Sequence, residues 1–552
     1  MKRWTGCLAL CLVAVSANAN ITVADIKRAS AAIEGQKWEE AIPLCKKLVD
    51  ECPVTATYWG DYGQALFGAR RYKEAILAAE RAASLGYYPW ICYYSQAKSY
   101  AELGDKEKTL TALQRALDAK WYGSNPLGSE KVFDFVRDDV RFKKMIGADF
   151  DREKITRNEG WVRDLDYLLH EARRQHFNFD AVAGKKAIDE YYRKLRRDIP
   201  KLSDHEVIFG MIRLMAMGGD GHTWLQAPIT GPRGFHTFPI QIFGFKEGYF
   251  VTAATQEYKD LLGQRLTQIG AKSVDEVAKI IEPTISAETR FTTLSRLGSR
   301  MMVTEALHSM RVIDTPDQAE MEFADASGKR TLRLLKAIPL EPAPKLVAAR
   351  DLKNQPLYLK NRQEQYWYEY LGDRKILYVQ YNAVQNKPEG ESLADFWKRV
   401  FKFAEDNPVE ALVLDIRWNG GGNLFLNDSL IASILASTKI NDLGKLFVIT
   451  GRNTYSAAAS LVGKLDRMTN ALFVGEPAGS SPNFVGENGM IQLPYSGLRA
   501  SISSLYWQNT HAMDHRSWVG VNIPAEPTWE LFIQNRDPAM EAIFAALKEP
   551  KN

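Results

Sequence analysis

Residues 451–460, Gly-Arg-Asn-Thr-Tyr-Ser-Ala-Ala-Ala-Ser, follow directly on the apolar run Leu446-Phe447-Val448-Ile449. An apolar run of that length bounded by Gly and Asn reads as a buried strand. The small residues Ser456-Ala457-Ala458-Ala459-Ser460-Leu461-Val462 read as the start of a helix. A strand that turns sharply into a helix can hold a Ser at the turn, with backbone N–H groups directed at whatever approaches it. Ser456 is that Ser. Upstream, Ile376-Leu377-Tyr378-Val379 and Ala411-Leu412-Val413-Leu414 are further buried strands alternating with helical stretches, the pattern of an α/β layer.

A second loop leaves the strand at 411–414 as Asp415-Ile416-Arg417-Trp418-Asn419-Gly420-Gly421-Gly422. Three consecutive glycines permit positive φ and close backbone approach, so their N–H groups can converge on one small anion. The spacing and the missing Lys-Ser/Thr exclude a nucleotide-phosphate loop. Half of an oxyanion hole fits, with Gly420 or Gly421 as donor alongside Ala457. Asp415 and Arg417 read as an ion pair bracing the loop. A third signal is Gly218-Gly219-Asp220-Gly221-His222-Thr223, a tight turn that fixes the direction of His222.

The chain has 552 residues, too many for one hydrophobic core. The expected architecture is multidomain α/β. Residues 1–19 read as a signal peptide: Lys2-Arg3, an apolar stretch, then Ala17-Asn18-Ala19 at a peptidase-like spacing. Loss of Lys2 and Arg3 lowers the formal net charge of +4 by two, which leaves no case for nucleic acid. No later segment is apolar enough to span a membrane, and export to the periplasm is the expectation. The remaining cysteines, Cys45, Cys52 and Cys92, form no disulfide framework and no metal-ligand pattern; neither metal nor cofactor is expected.

In residues 20–148, Trp38-Glu39-Glu40-Ala41-Ile42, Tyr72-Lys73-Glu74-Ala75-Ile76 and Lys106-Glu107-Lys108-Thr109-Leu110 recur at a fixed offset behind glycine turns. Helix pairs of that period bury their apolar faces only by stacking. The block resembles tetratricopeptide repeats, which implies a docking surface for a substrate or protein partner; a rigid spacer is the alternative. Residues 150–234 are helical by periodicity. Residues 235–345 alternate as short strands and resemble a PDZ-type module, though no carboxylate-binding loop is clear. Residues 346–552 hold the α/β core.

Taken together, Asp220-Gly221-His222-Thr223, Asp415 to Gly422, Thr454-Tyr455-Ser456-Ala457-Ala458, Gly475-Glu476-Pro477 and Asp537-Pro538 resemble, in order and rough spacing, the tail-specific and tricorn-type serine peptidases. The resemblance implies a crotonase-like α/β spiral core and hydrolysis of protein or peptide substrates. Carboxyl-terminal processing members carry a catalytic Lys in Gly-Glu-Pro-x-x-Gly-Lys, but here Ser481 stands where that Lys would be. Lys464, eight residues past Ser456 on a helix, lies about two turns away. The likeness is therefore to the branch with a His base. It implies Ser456 as nucleophile, His222 as general base, and an acid near 511–516. Asp514 is the expected third member, with Glu526 and Glu487 open.

Overall fold

The computed structural model describes residues 21–548, so the expected signal peptide lies outside the described residues. The chain divides into two compact units, one of residues 1–122 with 127–149, the other of residues 123–126 with 150–552.

The first unit is helical. Val23–Glu34, Trp38–Glu51, Ala56–Gly68, Tyr72–Ser84, Pro89–Glu102 and Lys106–Asp118 follow one another through short turns. The recurring segments open the second, fourth and sixth of these helices. Their shared small position, Ala41 and Ala75, is buried where neighbouring helices meet. Gly68 is obligatory in this packing: a Cβ there would fall 2.4 Å from the Trp38 ring. Phe133, Val136 and Phe142 close the far end and are fully buried with Leu113 and Ala116. The three cysteines are free.

The second unit contains three sheets larger than a single pair. The helices Arg157–Gln175, Lys185–Asp198 and Asp204–Ala216 come first. They share one continuous hydrophobic core with a seven-stranded, mainly antiparallel sheet spanning residues 240–348. The boundary expected near residue 235 is thus a change of secondary structure within one core. The six-stranded sheet runs Tyr366–Leu371, Ile376–Tyr381, Ala411–Asp415, Leu446–Thr450, Leu472–Gly475 and Ile523–Pro524, parallel after its first pair. Its central strands are buried on both faces, which is why they read as unbroken apolar runs. A three-stranded sheet of Trp224–Leu225, Arg499–Gln508 and Asn483–Gln492 carries the residues following His222. No helix among the described residues is long and apolar enough to cross a membrane.

Candidate active site

The parallel register sets Asp415 beside Ile449 and Thr450 beside Gly475, so the loops after these strands emerge at one edge. Thr454 ties two of them together: its Oγ1 donates to the Ile416 carbonyl (2.9 Å) and accepts from Gly451 N–H (3.1 Å). The Tyr455 N–H donates to the Asn419 carbonyl at 2.9 Å. Arg417 grips Asp415 and makes two 2.9 Å bonds to Asp537, which in turn caps the helix Pro538–Ala546. The loop ion pair therefore extends to the C-terminal helix.

Ser456 stands at the N-terminus of the helix Ala457–Met468 with φ 53° and ψ −125°. A non-glycine residue at positive φ is strained, and surrounding bonds must hold it. Its N–H donates to Ser480 Oγ (3.3 Å). The Ala457 carbonyl accepts from Asn427 Nδ2 (3.0 Å). The glycine loop lies directly against this turn. A Cβ on Gly421, whose φ is 107°, would sit 2.6 Å from Ser456 Cβ, so only glycine fits there. Gly420 faces open space. The N–H of Gly421 is taken by Asn419 Oδ1 at 3.0 Å. The Gly421 N–H is thus engaged in this conformation, whereas those of Gly420 and Ala457 make no hydrogen bond among the described contacts. The sequence does not distinguish the two glycines, because the Asn419 turn decides.

His222 is fixed through its backbone. Asp220 Oδ1 accepts from the N–H groups of His222 and Thr223, both at 2.8 Å, and from Ser503 Oγ at 2.7 Å. Burial opposes ionisation of Asp220, but hydrogen bonds led by His176 prevail and hold it below the usual carboxylate range. The His222 ring stacks on Tyr455 and Phe484, with centroids 4.7 and 5.7 Å away. Its Nδ1 lies 2.9 Å from the Tyr455 hydroxyl, and the ring also donates to the Val485 carbonyl. Burial brings its pKa down to about 4, so the ring is neutral at neutral pH. No hydrogen bond joins it to Ser456 among the described contacts.

Asp514 is not brought to His222. Its carboxylate takes Arg516 Nε and Nη2 (2.9 and 2.7 Å) and Thr510 Oγ1 (2.9 Å). Held by Arg516 first, it lies far below the usual carboxylate range. The acid that does reach the site is Glu288. Its Oε2 accepts from Gly221 N–H (2.8 Å) and lies 3.4 Å from the Tyr455 hydroxyl, while its Oε1 is buried with no hydrogen-bond partner. Burial pushes its pKa up to about 7. Thr289, next in the chain, bonds the Gly479 carbonyl (2.7 Å), which brings this segment to the loop that carries Ser480. Arg296 completes the surround, 5.2 Å over the Tyr455 ring and bonded to the Gly221 carbonyl (3.1 Å). Glu487 and Glu526 make no bond to His222 among the described contacts. Lys464 is paired with Asp428 at 2.8 Å, and Ser481 bonds the Ser517 carbonyl at 3.0 Å. Neither lysine nor serine there serves as a base for Ser456 in this arrangement.

Residues 375–521 match the model of peptidase family S41. No curated protein sequence matches the chain. Among solved structures, mature CPAF is similar with a TM-score of 0.52 at 11% identity, covering 71% of this chain and 97% of that chain. CPAF complexed with lactacystin gives 0.51 at 11% identity, covering 71% and 98%. Both likenesses are of fold. The matched segment includes the strand Ala411–Asp415, the glycine loop and the Ser456 turn, so residues 375–521 are similar to the peptidase domain of family S41.

Proposed function

We propose that the protein is an exported endopeptidase in which Ser456 attacks the peptide carbonyl and His222 is the general base. The observation that carries this reading is the Ser456 turn: a strained serine at a helix N-terminus, with Gly421 pressed against it and the N–H groups of Ala457 and Gly420 without a hydrogen bond among the described contacts. Those two groups would hold the tetrahedral oxyanion, and losing one such donor costs about 2.7–4 kcal/mol. A serine hydroxyl is a weak nucleophile without a base, and a ring already neutral at pH 7 can accept its proton. To do so His222 must leave the Val485 carbonyl and take the Nδ1–H tautomer, so that Nε2 meets Ser456 Oγ with a free lone pair; catalytic bonds often tighten only when substrate is bound.

In this reading Tyr455 and Glu288 take the place expected for Asp514. With the ring N–H on Val485, Nδ1 accepts from the Tyr455 hydroxyl, and Tyr455 in turn accepts from protonated Glu288. As Nε2 releases its proton to solvent, Nδ1 gains one from Glu288 through Tyr455; Nδ1–H then donates to Tyr455 and Tyr455 to the Glu288 carboxylate, and Nε2 is free to take the Ser456 proton. The pair orients the imidazole and answers its charge. The helical block is read as a docking surface for substrate or a protein partner.

The engaged ring nitrogens favour one competing reading, a binding or scaffold protein of the same fold. Casein hydrolysis by wild type and Ser456→Ala separates the two. The peptidase reading requires activity in the first and none in the second. Equal activity in both would refute the nucleophile, and a wild type inert on every protein and peptide tried would favour the binding protein.

A further inference from the structure

A cavity of about 290 Å³ lies beyond the catalytic residues, at the C-terminal ends of the parallel strands Leu446–Thr450 and Leu472–Gly475. Neither Ser456 nor His222 lines it. Crevices at strand ends are where open α/β sheets hold ligands. The walls are flat and apolar: Phe243, Phe245, Tyr358, Trp418 and Phe532 face it. The Tyr358 and Trp418 rings lie within 9° of parallel, their centroids 6.4 Å apart.

Five guanidinium groups surround this space. Three are answered within the protein: Arg417 by Asp415 and Asp537, Arg452 by Glu476, and Arg536 by Glu541. Arg350 and Arg362 have no carboxylate among the described contacts. Arg350 reaches only Asn535 Oδ1, at 3.5 Å, and lies 5.1 Å over the Phe532 ring. Arg362 lies 4.0 Å over Trp418 at the exposed mouth. Burial lowers the pKa of both, and the charge of Arg350 adds to the effect on Arg362.

We infer that this cavity is a binding site for a small monocarboxylic acid with a planar apolar body, held by Arg350 and Arg362 and stacked among the aromatic walls. The class follows from charge, shape and volume. Five guanidiniums face four carboxylates, so a single negative charge restores balance and a dianion exceeds it. A guanidinium fork matches a carboxylate in two parallel bonds. A cavity of this size stands at the low end of small-molecule sites, which run from about 300 Å³ upward, and takes one ring with its acid group rather than a folded partner. Its lining includes Trp418 and Asn453, two residues before Gly420 and three before Ser456. A bound acid therefore bears on both loops of the oxyanion hole.

Binding, not catalysis, tests this. The full-length protein is titrated calorimetrically with benzoate, phenylacetate and 2-naphthoate, with phenylacetamide as the neutral isostere and Ala-Ala-Phe as a peptide carboxylate. At least one of the three acids should bind, and phenylacetate about tenfold or more tighter than its amide, the difference expected of a charge-assisted pair. Arg362→Met, at an exposed position where the fold tolerates change, should remove most of that preference, and Arg350→Met likewise. No binding by any of the three acids would overturn the proposal. Equal affinity for acid and amide, or preference intact in both variants, would do the same. Tight binding of Ala-Ala-Phe without phenylacetate would replace it with a site for peptide ends.

Discussion

On the proposed reading, with Ser456 as nucleophile and His222 as base, the two halves of the site are built by different rules. The nucleophile half is short-range in construction: adjacent parallel strands deliver Gly420, Gly421 and Ser456 to one edge, and backbone bonds such as Tyr455 N–H to the Asn419 carbonyl lock the loops. The base half is assembled from distant segments. His222 leans on Asp220, Ser503, Tyr455 and Val485, and the acid that reaches the Tyr455 hydroxyl beside its ring comes from residue 288. A half made by strand order tolerates little change where its loops touch, as at Gly421. A half made by long-range side-chain contacts is open to graded change and to pH.

The largest expected effect is on the nucleophile half. Ser456→Ala should lower the hydrolysis rate by about 10⁶, the usual cost of removing a triad nucleophile, with the thermal transition within a few degrees of wild type. Gly421→Ala comes next. The added methyl meets Ser456 Cβ at 2.6 Å on backbone with φ 107°, so kcat should fall by roughly 10² or more, comparable to the loss of an oxyanion donor. Gly420→Ala, with open space before it, should stay near wild type. Equal damage at the two glycines would show that the contrast drawn between them is wrong.

Changes in the base half should be smaller and should fall on kcat more than KM. Glu288→Gln and Tyr455→Phe are each expected to lower kcat by about tenfold to a hundredfold. Asp514→Asn should leave it near normal, since Asp514 serves Arg516 and Thr510. A crippled Asp514→Asn beside a normal Glu288→Gln would restore the acid that the sequence suggested.

The same residues give opposed pH signatures in stability. His222 has its folded pKa depressed to about 4, against a reference value of 6.5, so the unfolded chain binds the proton better and stability falls as pH drops through that interval. Glu288 is the reverse. Its pKa is raised from 4.5 to about 7, and stability falls as pH rises across that range. Relative to wild type, His222→Gln should therefore be more favourable at pH 5 than at pH 8, and Glu288→Gln more favourable at pH 8 than at pH 5. Thermal melts of the three proteins at the two pH values check this. The acid limb of kcat/KM should likewise lie below the histidine reference of about 6.5. The smallest effect concerns the helical block: deleting residues 20–148 should spare a short chromogenic peptide while weakening cleavage of a protein substrate. Equal loss on both would make the block structural.

This division also explains what could be read from the sequence. Ser456, the glycine run and the Asp415–Arg417 brace were legible because each rests on a strand followed by its own loop, a local pattern of apolar run and small residues. The helical character of residues 23–118 was legible for the same reason, since its recurring offset is a local regularity. Glu288 was not, because Ala287-Glu288-Thr289 is an ordinary stretch until Thr289 bonds the Gly479 carbonyl. Nor was the fate of Gly421, decided by the rotamer of Asn419. The shared core of the 157–216 helices and the 240–348 sheet was also hidden, since a change of periodicity marks a change of element and says nothing of where a core ends.

The central claim is that Ser456 is an activated nucleophile, and covalent labelling addresses it without any knowledge of the substrate. Purified protein is treated with a fluorophosphonate, digested, and the modified residue located by mass spectrometry, with Ser456→Ala and His222→Ala run in parallel. The account predicts one adduct, on Ser456, absent from Ser456→Ala and formed far more slowly in His222→Ala. A wild-type protein that takes no label at Ser456, or one whose labelling rate is unchanged without His222, would contradict it.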